Sequence, residues 1–540
     1  MTTLLPPARF GGAFRTDVRA RAAYAEGAGI YRILPDAVSL PETVADLERL
    51  VCWAGELGVP LVTRGAGSAV SGSSVGEGVI VDLARMRPAA LDVDPDRRRA
   101  VTGASVTYQA LADAAQAHGL RLPPDPSSGA FATLGGMVAT NAAGARSVKY
   151  GPIRPWVRAV ELVTADGESC RLERGANAGA AGALALARFA GQAAPAIARS
   201  HGLIDERFPR TRKNTSGFAL DAYSASGDLV DLVIGSEGTL GIITEIEWDL
   251  IAVPGHIGGM LVQLRDLDAL ADVVTALARL EPSAVEFLDR SFLEVLPPAE
   301  RPAGAAVLLV EFEAEDARQL RGRIGDAVRA VDAWADDVQT ALSEAEFADL
   351  WRLRHAANPI LAGLPDSRRS LQVIEDGCVP LDRLTAYLRF VRARASDLGL
   401  PVVIFGHAGD GHLHVNVLPD VDRPSWEDAV GALMTAVTDE VLRLGGTPAG
   451  EHGDGRLRAG LVERLYGSDI MALFALVKAA FDPRGILNPG VILPEEWVPL
   501  DQLKAGPHAV PLPPDIAEAL RTLERSAGYG QSRIALADRN

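Results

Sequence analysis

Three stretches rich in glycine and other small residues constrain the fold of this chain more than any other feature. Residues 64–74 (RGAGSAVSGSS) follow a strand-like apolar run, residues 124–144 contain Gly135 and Gly136, and residues 235–244 follow another apolar run. Without bulky side chains, a backbone can approach a second backbone or a flat ligand closely. The three stretches therefore predict a region in which chain segments and a ligand pack tightly together.

The first of these stretches has the composition of a phosphate-binding turn. Glycines let backbone N–H groups reach an anion, and serine hydroxyls add further donors. The dinucleotide fingerprint G-x-G-x-x-G would need glycine in place of Val70, and the G-K-[ST] ending of the P-loop is absent. Taken alone, residues 64–74 fit a phosphate site and an ordinary glycine-rich turn equally well.

Length, charge and cysteine usage exclude several classes of protein. A chain of 540 residues is too long for one ordinary core and predicts two or more domains. Its net charge of -17 argues against nucleic acid or an acidic membrane as a partner, so an anionic substrate would need locally supplied positive charge. Cys52, Cys170 and Cys378 form no C-x-x-C pair, which argues against a disulfide framework and against an iron–sulfur cluster within this chain.

The pattern of apolar residues divides the chain into four parts. Residues 1–34 form an arm, residues 35–252 alternate helices and strands, residues 253–493 form a second region, and residues 494–540 form a proline-rich tail. In the second region strands alternate with long helices, which favours an antiparallel sheet with helices on one face. The predicted strands are 59–63, 79–83, 259–264, 284–288, 305–312, 402–405 and 412–417, and the predicted helices are 43–57, 267–280, 317–335 and 514–525.

Two histidine-containing stretches carry the residues best suited to chemistry. Residues 404–416 (IFGHAGDGHLHVN) hold three of the nine histidines, and the stretch GEHGDGR adds Glu451 and His452. Imidazole and carboxylate groups on a rigid, glycine-rich backbone suit zinc, with manganese or iron as alternatives. His412 and His414 lie on the same face of the predicted strand, so both qualify as ligands on geometry alone.

The three glycine-rich stretches resemble the flavin domain of the FAD-linked oxidase/dehydrogenase family, of the vanillyl-alcohol-oxidase type. The matching motifs are R-G-x-G-x-x-x-S-G at 64–72, G-G-x-x-A-T-N at 135–141 and G-S-E-G-T-L-G-I-I at 235–243. The resemblance implies an α+β fold, with a two-subdomain FAD-binding (PCMH-type) domain at 35–252 and an antiparallel-sheet cap domain, with helices on one face, at 253–493. It also implies non-covalent FAD, because the first stretch lacks the histidine to which some relatives attach the flavin.

The same resemblance assigns cofactor-binding residues. The first stretch would hold the FAD pyrophosphate, the second would line the flavin, the third would hold the adenosine side, and a closing motif FDPRGILNPG would bring an asparagine to the flavin ring. The residues implied in this way are Arg64, Gly65, Gly67, Ser68, Ser71, Gly72, Pro126, Ser128, Gly135, Gly136, Thr140, Asn141, Gly144, Glu237, Gly238, Gly241, Ile242, Ile243 and Asn488.

Within this family, the histidine stretches match the 2-hydroxyacid dehydrogenase branch. Its motif H-x-G-D-G-x-x-H maps metal ligands onto His407 and His414 and leaves His412 in doubt, while Glu451 maps to the third ligand and His452 to the catalytic base. Oxidation of a 2-hydroxy acid removes a proton from the hydroxyl and a hydride from C2. A metal lowers the pKa of the hydroxyl, a histidine takes the proton and the flavin takes the hydride.

A W-x-x-R motif that ends at Arg354 implies the substrate site. An arginine fork binds a carboxylate at two points, so Arg354 is expected to hold the substrate carboxylate, with Asn358 on the same helix face and Lys213 as a further contact. The stretch GEHGDGR most resembles the large fused D-2-hydroxyglutarate dehydrogenases, which makes D-2-hydroxyglutarate, D-lactate and glycolate the substrates considered. A dicarboxylate would need a second cation, for which the candidates are Arg456, Arg458 and Arg368.

Two other functions stay open. One is a flavin-dependent transferase of the same family without net redox, and the other is the flavin subunit of a larger oxidoreductase complex. The tail segment SAGYGQSR resembles the C-x-G-x-G-x-C-R opening of the iron–sulfur domain in fused relatives, with Ser526 and Ser532 at the cysteine positions. A chance glycine-rich segment is the alternative explanation for this similarity.

The expected partners and location follow from the dehydrogenase interpretation. A dehydrogenase needs a separate electron acceptor, namely a quinone, an iron–sulfur protein or an electron-transfer flavoprotein, and a homodimer is compatible with the sequence. The N-terminus has no basic start followed by an apolar core, and no apolar run is long enough to span a bilayer. With the scattered cysteines, this predicts a cytoplasmic protein that meets a membrane only through its acceptor.

Overall fold

The computed structural model describes residues 4–87, 90–176, 182–494 and 496–538, without the side chains of residues 357 and 358. Strands in this part of the chain form sheets of four, five, two and seven strands. None of the helices within the described ranges combines the length and the apolar character that crossing a membrane requires.

Short strands in the N-terminal half build three sheets. These strands are β1 (Ala13–Arg15), β2 (Ala37–Leu40), β3 (Leu61–Arg64), β4 (Val79–Asp82), β5 (Leu91–Asp94), β6 (Arg99–Gly103), β7 (Leu120–Arg121), β8 (Val157–Val163), β9 (Ser169–Glu173), β10 (Ile242–Asp249) and β11 (Ile251–Ala252). The four-stranded sheet has the order β1-β2-β4-β3, with β4 parallel to β2 and β3, and the five-stranded sheet is antiparallel with the order β5-β6-β10-β8-β9. The N-terminal half is therefore built as two subdomains, one for each of the larger sheets.

Helices cover these sheets. They are α1 (Val18–Ala23), α2 (Val44–Leu57), α3 (Tyr108–Gln116), α4 (Leu134–Ala139), α5 (Ser147–Tyr150), α6 (Leu184–Arg188), α7 (Ala194–Arg199), α8 (His201–Arg207), α9 (Leu220–Ser226) and α10 (Val230–Val233). The predicted helix at 43–57 is confirmed as α2: Thr43 and Asp46 form a reciprocal capping box at its start, and Gly58 ends it in the left-handed region at φ 68°.

The second half of the chain is organised around one antiparallel sheet, as the sequence predicted. Its strands are β12 (His256–Leu264), β13 (Ala284–Asp289), β14 (Ala306–Ala314), β15 (Ala335–Ala341), β16 (Gly377–Cys378), β17 (Val402–Gly406) and β18 (His412–Val417). Their order is β15-β12-β14-β13-β17-β18-β16. The helices of this half are α11 (Leu270–Ala278), α12 (Arg290–Leu293), α13 (Ala317–Val331), α14 (Glu344–His355), α15 (Ala357–Ala362), α16 (Leu384–Asp397) and α17 (Trp426–Arg443).

The two faces of this sheet differ in character, because successive side chains on a strand point to opposite sides. Val262, Leu308 and Val415 belong to an apolar core shared with α11, α13, α16 and α17. The opposite face carries buried polar side chains, among them Glu286 and His414, and packs against α12, α14 and α15 at one side. Helices α11, α13, α16 and α17 thus cover one face, while α12, α14 and α15 cover one side of the polar face and leave the rest to the buried polar groups.

One predicted element is wrong in its extent. The helix expected at 317–335 ends at Val331, and residues Ala335–Ala341 form the edge strand β15 paired with β12. The sequence ADDVQTA has little strand propensity, so pairing with β12 rather than local preference decides its conformation.

After the cap, the chain returns to the N-terminal half. Helices α18 (Gly455–Arg458), α19 (Val462–Tyr466) and α20 (Ser468–Phe481) lead to the closing motif, where Leu61 of β3 is hydrogen-bonded to Ile486 and Asn488 at 2.8 Å each. The tail helices α21 (Pro514–Arg525) and α22 (Arg533–Ala537) pack with α1 on one face of the four-stranded sheet. The predicted helix at 514–525 is confirmed as α21.

Candidate active site

A cavity of about 460 Å³ lies where the three glycine-rich stretches meet. Loops that follow β3, β4 and β6 form its walls, together with α4 and the start of β10. The predicted cofactor-binding residues that line it are Arg64, Gly65, Gly67, Ser68, Pro126, Ser128, Gly135, Gly136, Thr140, Gly144, Glu237, Gly238, Gly241, Ile242 and Ile243. Close packing explains the small residues here, since a Cβ on Gly65 would come within 2.1 Å of the Thr133 hydroxyl.

Four predicted cofactor residues, Ser71, Gly72, Asn141 and Asn488, do not line this cavity. The Ser71 hydroxyl donates to the carbonyl of His452 at 2.9 Å, and the amide Nδ2 of Asn488 donates to the carbonyls of Ser73 and Glu237 at 2.9 and 2.8 Å. These side chains tie loops together behind the cavity wall. The prediction that these four residues bind a cofactor therefore gains no support from the lining of the cavity.

A second cavity of about 300 Å³ adjoins the first on the polar face of the cap sheet. Its walls include Arg354, Arg369 and Asn416. Glu451 and His452 line both cavities, so they stand at the junction.

Four side chains converge beside this junction. His407 follows β17, His412 and His414 lie on β18, and Glu451 arrives in the loop after α17. One ligand atom from each lies within 4.8 Å of those of the other three. Nε2 of His407 is 3.2 Å from Oε1 of Glu451 and 3.3 Å from Nε2 of His414, which is itself 3.5 Å from Oε1 of Glu451.

The outer ring nitrogen of each histidine is held by a different acceptor. Nδ1 of His407 is 2.6 Å from Glu286, Nε2 of His412 is 3.0 Å from Asp376, and Nδ1 of His414 is 3.0 Å from the carbonyl of Glu375. Such partners fix the rings of metal-binding histidines. The inner nitrogens therefore face Glu451.

The donor set fits a divalent metal. Ligands at about 2.0–2.1 Å around a tetrahedral zinc lie about 3.3 Å apart, which is close to the separations among His407, His414 and Glu451. Nδ1 of His412 is buried and has no hydrogen-bond partner among the described residues. Burial holds the pKa of His412 and of His414 well below the ordinary value, so both rings are neutral, which is the form that binds a metal.

Lys213 lies behind this cluster and not at a cavity wall. Its ammonium is 2.7 Å from Oε2 of Glu451 and 3.3 Å from Asp410, and its side chain is buried. It does not line either cavity. The predicted contact of Lys213 with substrate has no support in this position, and the residue neutralises Glu451 instead.

His452 is the most accessible of the clustered histidines, with 30% of its side chain exposed. Its Nδ1 is 3.1 Å from Glu375, and its ring stacks on His414 with centroids 5.3 Å apart. Burial opposes its protonation, but Asp376 and Glu375 raise the pKa of His452 to about 9. The ring is thus held at Nδ1, and its Nε2 lies 3.6 Å from Oε1 of Glu451.

Arg354 reaches the second cavity from α14. Its Nε donates to Glu286 at 2.5 Å, and its guanidinium lies 4.8 Å from the centre of the Phe405 ring. Against the effect of burial, His407 and Arg354 lower the pKa of Glu286 to about 2. This carboxylate therefore couples the predicted substrate arginine to the histidine cluster, whereas the side chain of Asn358 lies outside the described residues.

The three arginines proposed as a second cation are not at the second cavity. Arg456 donates to the carbonyls of Val75 and Pro489 at 2.7 Å each, Arg458 is paired with Glu375, and Arg368 is exposed. Arg369, one position further, lines the cavity instead.

Sequence reasoning also missed the acceptors that orient the rings, namely Glu286, Glu375 and Asp376. Their signal was a carboxylate inside an apolar strand-like run, in AVEFL and in LQVIEDGCV. A buried carboxylate requires a partner, and that requirement marks such positions.

Comparison with known proteins identifies both halves of the chain. Residues 35–173 match the model "FAD binding domain", and residues 253–492 match "FAD linked oxidases, C-terminal domain". The chain is 30% identical to a D-lactate dehydrogenase from Archaeoglobus fulgidus, over 84% of this chain and 90% of the relative. It is 32% identical to a glycolate oxidase subunit GlcD from Bacillus subtilis, over 85% and 89%.

More distant similarities extend this result. A D-2-hydroxyglutarate dehydrogenase from Escherichia coli is 27% identical over 88% of this chain but only 50% of its own length, in line with the predicted similarity to part of a larger form. The fold resembles alkyldihydroxyacetonephosphate synthase, with a TM-score of 0.62 at 18% identity over 89% of this chain and 83% of that one. The two domain matches and the two relatives at 30% and 32% identity agree on one assignment. The chain belongs to the family of FAD-linked oxidases.

Proposed function

We propose that this chain oxidises a D-2-hydroxy acid to the 2-oxo acid, using FAD and a divalent metal, zinc by preference over manganese or iron. His407, His412, His414 and Glu451 would hold the metal. The observation that carries the proposal is that Glu451 and His452 line both cavities. A substrate in the second cavity would therefore lie next to the donor cluster, His452 and the first cavity, which would hold the flavin.

The residues supply complementary parts of the chemistry. Bound FAD would accept the hydride from C2, and a bound metal would lend Lewis acidity at the hydroxyl. A metal cation beside Glu451 would disfavour the protonated form of His452, and the neutral ring would then take the hydroxyl proton at Nε2, because its Nδ1 is engaged by Glu375. Arg354, fixed by Glu286, binds the substrate carboxylate and turns C2 toward the flavin cavity.

The second cavity favours a substrate with two carboxylates. Arg354 and Arg369 both line it, and Nη1 of Arg369 has no hydrogen-bond partner among the described residues, although it lies 3.8 Å from the carboxylate of Glu524 at the same cavity. Two cations at one cavity support a dicarboxylate such as D-2-hydroxyglutarate over D-lactate or glycolate. The named relatives support the 2-hydroxy acid class.

The physiological partner and location are proposed on the same basis. We propose that reduced flavin passes its electrons to a separate acceptor in the cytoplasm, namely a quinone, an iron–sulfur protein or an electron-transfer flavoprotein. The similarity to a subunit of glycolate oxidase supports a partner protein.

Anaerobic reduction tests the proposal directly. The metal-replete flavoprotein is mixed with D- and L-2-hydroxy acids while flavin absorbance is followed. One D-acid should bleach the flavin, His452→Ala should abolish the bleaching, and His201→Ala, at an exposed position, should not. Failure of every acid to bleach a protein that contains both FAD and metal would refute the proposal and favour a transferase without net redox.

A further inference from the structure

We propose that the C-terminal tail forms part of the cofactor site and that Arg533 binds the pyrophosphate of FAD opposite the 64–74 loop. Tail residues 529–533 line the same cavity as residues 64–70. The tail lies outside both matched regions, which end at residue 492. The inference rests on FAD as the cofactor of the family and not on the proposed substrate.

Arg533 is a buried cation without an ionic partner. The residue is 5% exposed, and its Nε is buried without a hydrogen-bond partner among the described residues. No carboxylate oxygen in the described ranges lies within 4.0 Å of its guanidinium, which instead sits 5.6 Å from the centre of the Tyr529 ring. Burying an unpaired charge costs free energy, so this position calls for an anion.

A second arginine adds to the same positive region. Arg64 is 2% exposed, and its guanidinium donates only to carbonyls, of Glu26 at 2.8 Å and of Tyr24 and Ser74 at 3.4 Å. Burial and the charge of Arg64 lower the pKa of Arg533 to about 10. The guanidinium groups of Arg64 and Arg533, which both line the cavity, therefore repel each other.

The carboxylates nearby are already engaged. Asp82 accepts hydrogen bonds from the Tyr24 hydroxyl at 2.5 Å and from the backbone of Ala84 at 2.9 Å. Glu26 is paired with Arg32 at 2.6 Å. Neither forms an ion pair with Arg64 or Arg533.

A further unsatisfied donor points into the same space. The hydroxyl of Ser74 is buried without a hydrogen-bond partner among the described residues, and Ser74 lines the cavity. Residues 64–70 of the same glycine-rich loop line this cavity as well. A pyrophosphate carries two negative charges and several acceptor oxygens. It would therefore neutralise the charge of the two arginines and accept hydrogen bonds from the unpaired donors.

The tail is placed firmly enough to serve this role. Ile516, Leu520 and Ile534 are buried against the four-stranded sheet, in a core that also includes Val62 and Ile80. The same sheet carries the 64–74 loop at the end of β3. Arg533 and the loop are therefore held at a fixed separation by one packed unit.

Cofactor binding to the full-length apoprotein tests the inference. The protein is stripped of flavin and titrated with FAD, and binding is read from flavin fluorescence. Arg533→Gln should weaken FAD binding by about 10- to 100-fold, the range of a lost charge-assisted contact. Arg525→Gln makes the same charge change on the same tail, at a side chain 48% exposed, and should stay within about twofold of the unmodified protein.

Two further ligands separate a phosphate contact from a general effect on folding. ADP, which carries the pyrophosphate, should lose affinity for the Arg533→Gln protein, whereas riboflavin, which has no phosphate, should not. The melting temperature of this apoprotein should not fall, because the substitution removes an unpaired buried charge. Unchanged FAD affinity, or an equal loss for riboflavin and FAD, would overturn the inference.

Discussion

At the residue scale, the orientation of His412 decides how many ligands the cluster offers. The motif comparison left this histidine in doubt, but Asp376 holds its Nε2 and turns its unpaired Nδ1 toward Glu451. Asp376 also accepts the backbone N–H groups of Glu451 and His452 at 3.1 and 2.9 Å. One carboxylate thus positions the His412 ring and the backbone that carries Glu451 and His452.

Replacement of His412 by alanine should reduce metal retention. If Nδ1 is a fourth protein donor, His412→Ala should lower zinc affinity by at least about tenfold, as the loss of supporting groups does in metal sites. Metal content after dialysis, measured by elemental analysis, checks this, with His201→Ala as the control. Full retention would mean that His407, His414 and Glu451 suffice, as the motif alone implied.

Replacement of Arg369 should separate long from short substrates. Arg369→Gln should raise the KM for D-2-hydroxyglutarate by about 10- to 100-fold, the range of a lost charge-assisted contact, and leave the KM for D-lactate unchanged. Arg368→Gln, at the exposed neighbouring position, is the matched control. Equal effects on both acids would place the second carboxylate elsewhere.

The sequence could identify His407, His414 and Glu451 because glycine-rich motifs are local. It could not identify Glu286 or Asp376, which lie 121 and 36 residues from the histidines they hold. Contacts over such separations depend on sheet order, and sheet order is not encoded in any one segment.

At the element scale, the β17–β18 hairpin positions the cluster, and its turn depends on Gly411. This residue has φ 73°, and a Cβ there would lie 2.0 Å from the carbonyl of Val379. Both strands were predicted because each is a short apolar run beside glycine. The pairing of Phe405 with His414 and of Cys378 with His412 then sets which rings share a face.

Substitution of Gly411 by alanine should loosen both the hairpin and the metal site. Gly399→Ala is the control, because Gly399 has a similar φ of 65° and no atom within 4 Å of its Cβ position. Gly411→Ala should cost about 1–3 kcal/mol more in unfolding free energy than the control, owing to overpacking. Urea unfolding of the two variants measures the difference, and equal losses would contradict it.

The loop around Glu237 makes stability depend on pH. Its carboxylate accepts N–H groups of Asp454 and Gly455 at the start of α18, at 2.8 and 3.0 Å. Burial, and then Asp454, raise the pKa of Glu237 from 4.5 to about 8. The folded chain therefore holds this proton more tightly than the unfolded chain does.

The sign of the pH dependence follows from that difference. The unfolding free energy of the apoprotein should fall as pH rises from about 5 to about 8, by up to ~1.4 kcal/mol per pH unit for this group. Glu237→Gln, which cannot titrate, should show a flatter profile over the same range. Urea midpoints between pH 5 and 9 provide the measurement, and parallel profiles would contradict the assignment.

At the scale of the whole molecule, an ionic network joins the cap sheet to the N-terminal half. Arg146 donates to both oxygens of Glu311 on β14 at 2.8 Å and is paired with Asp125, while Arg121 and Lys149 bind Glu313 at 2.6 and 2.7 Å. The sequence could not predict this network, because its members come from three separated segments and only the docked halves bring them together.

Loss of Arg146 should weaken the docking of the two halves. Arg146→Met leaves Glu311 buried without its bidentate partner and should cost about 2–4 kcal/mol of unfolding free energy. The double variant Arg146→Met/Glu311→Met should lose less, since the uncompensated charge is gone. A double variant as unstable as the sum of its single variants would show that the pair acts independently.

The closing motif has a consequence for how the protein is made. Asn488 holds the backbone of Ser73, which precedes it by 415 residues, so a support behind the wall of the first cavity is supplied only late in synthesis. At about 5–20 residues per second, the ribosome needs roughly 20–80 s to bridge that gap. During this period the nascent glycine-rich loops lack the hydrogen bonds that Asn488 makes to Ser73 and Glu237.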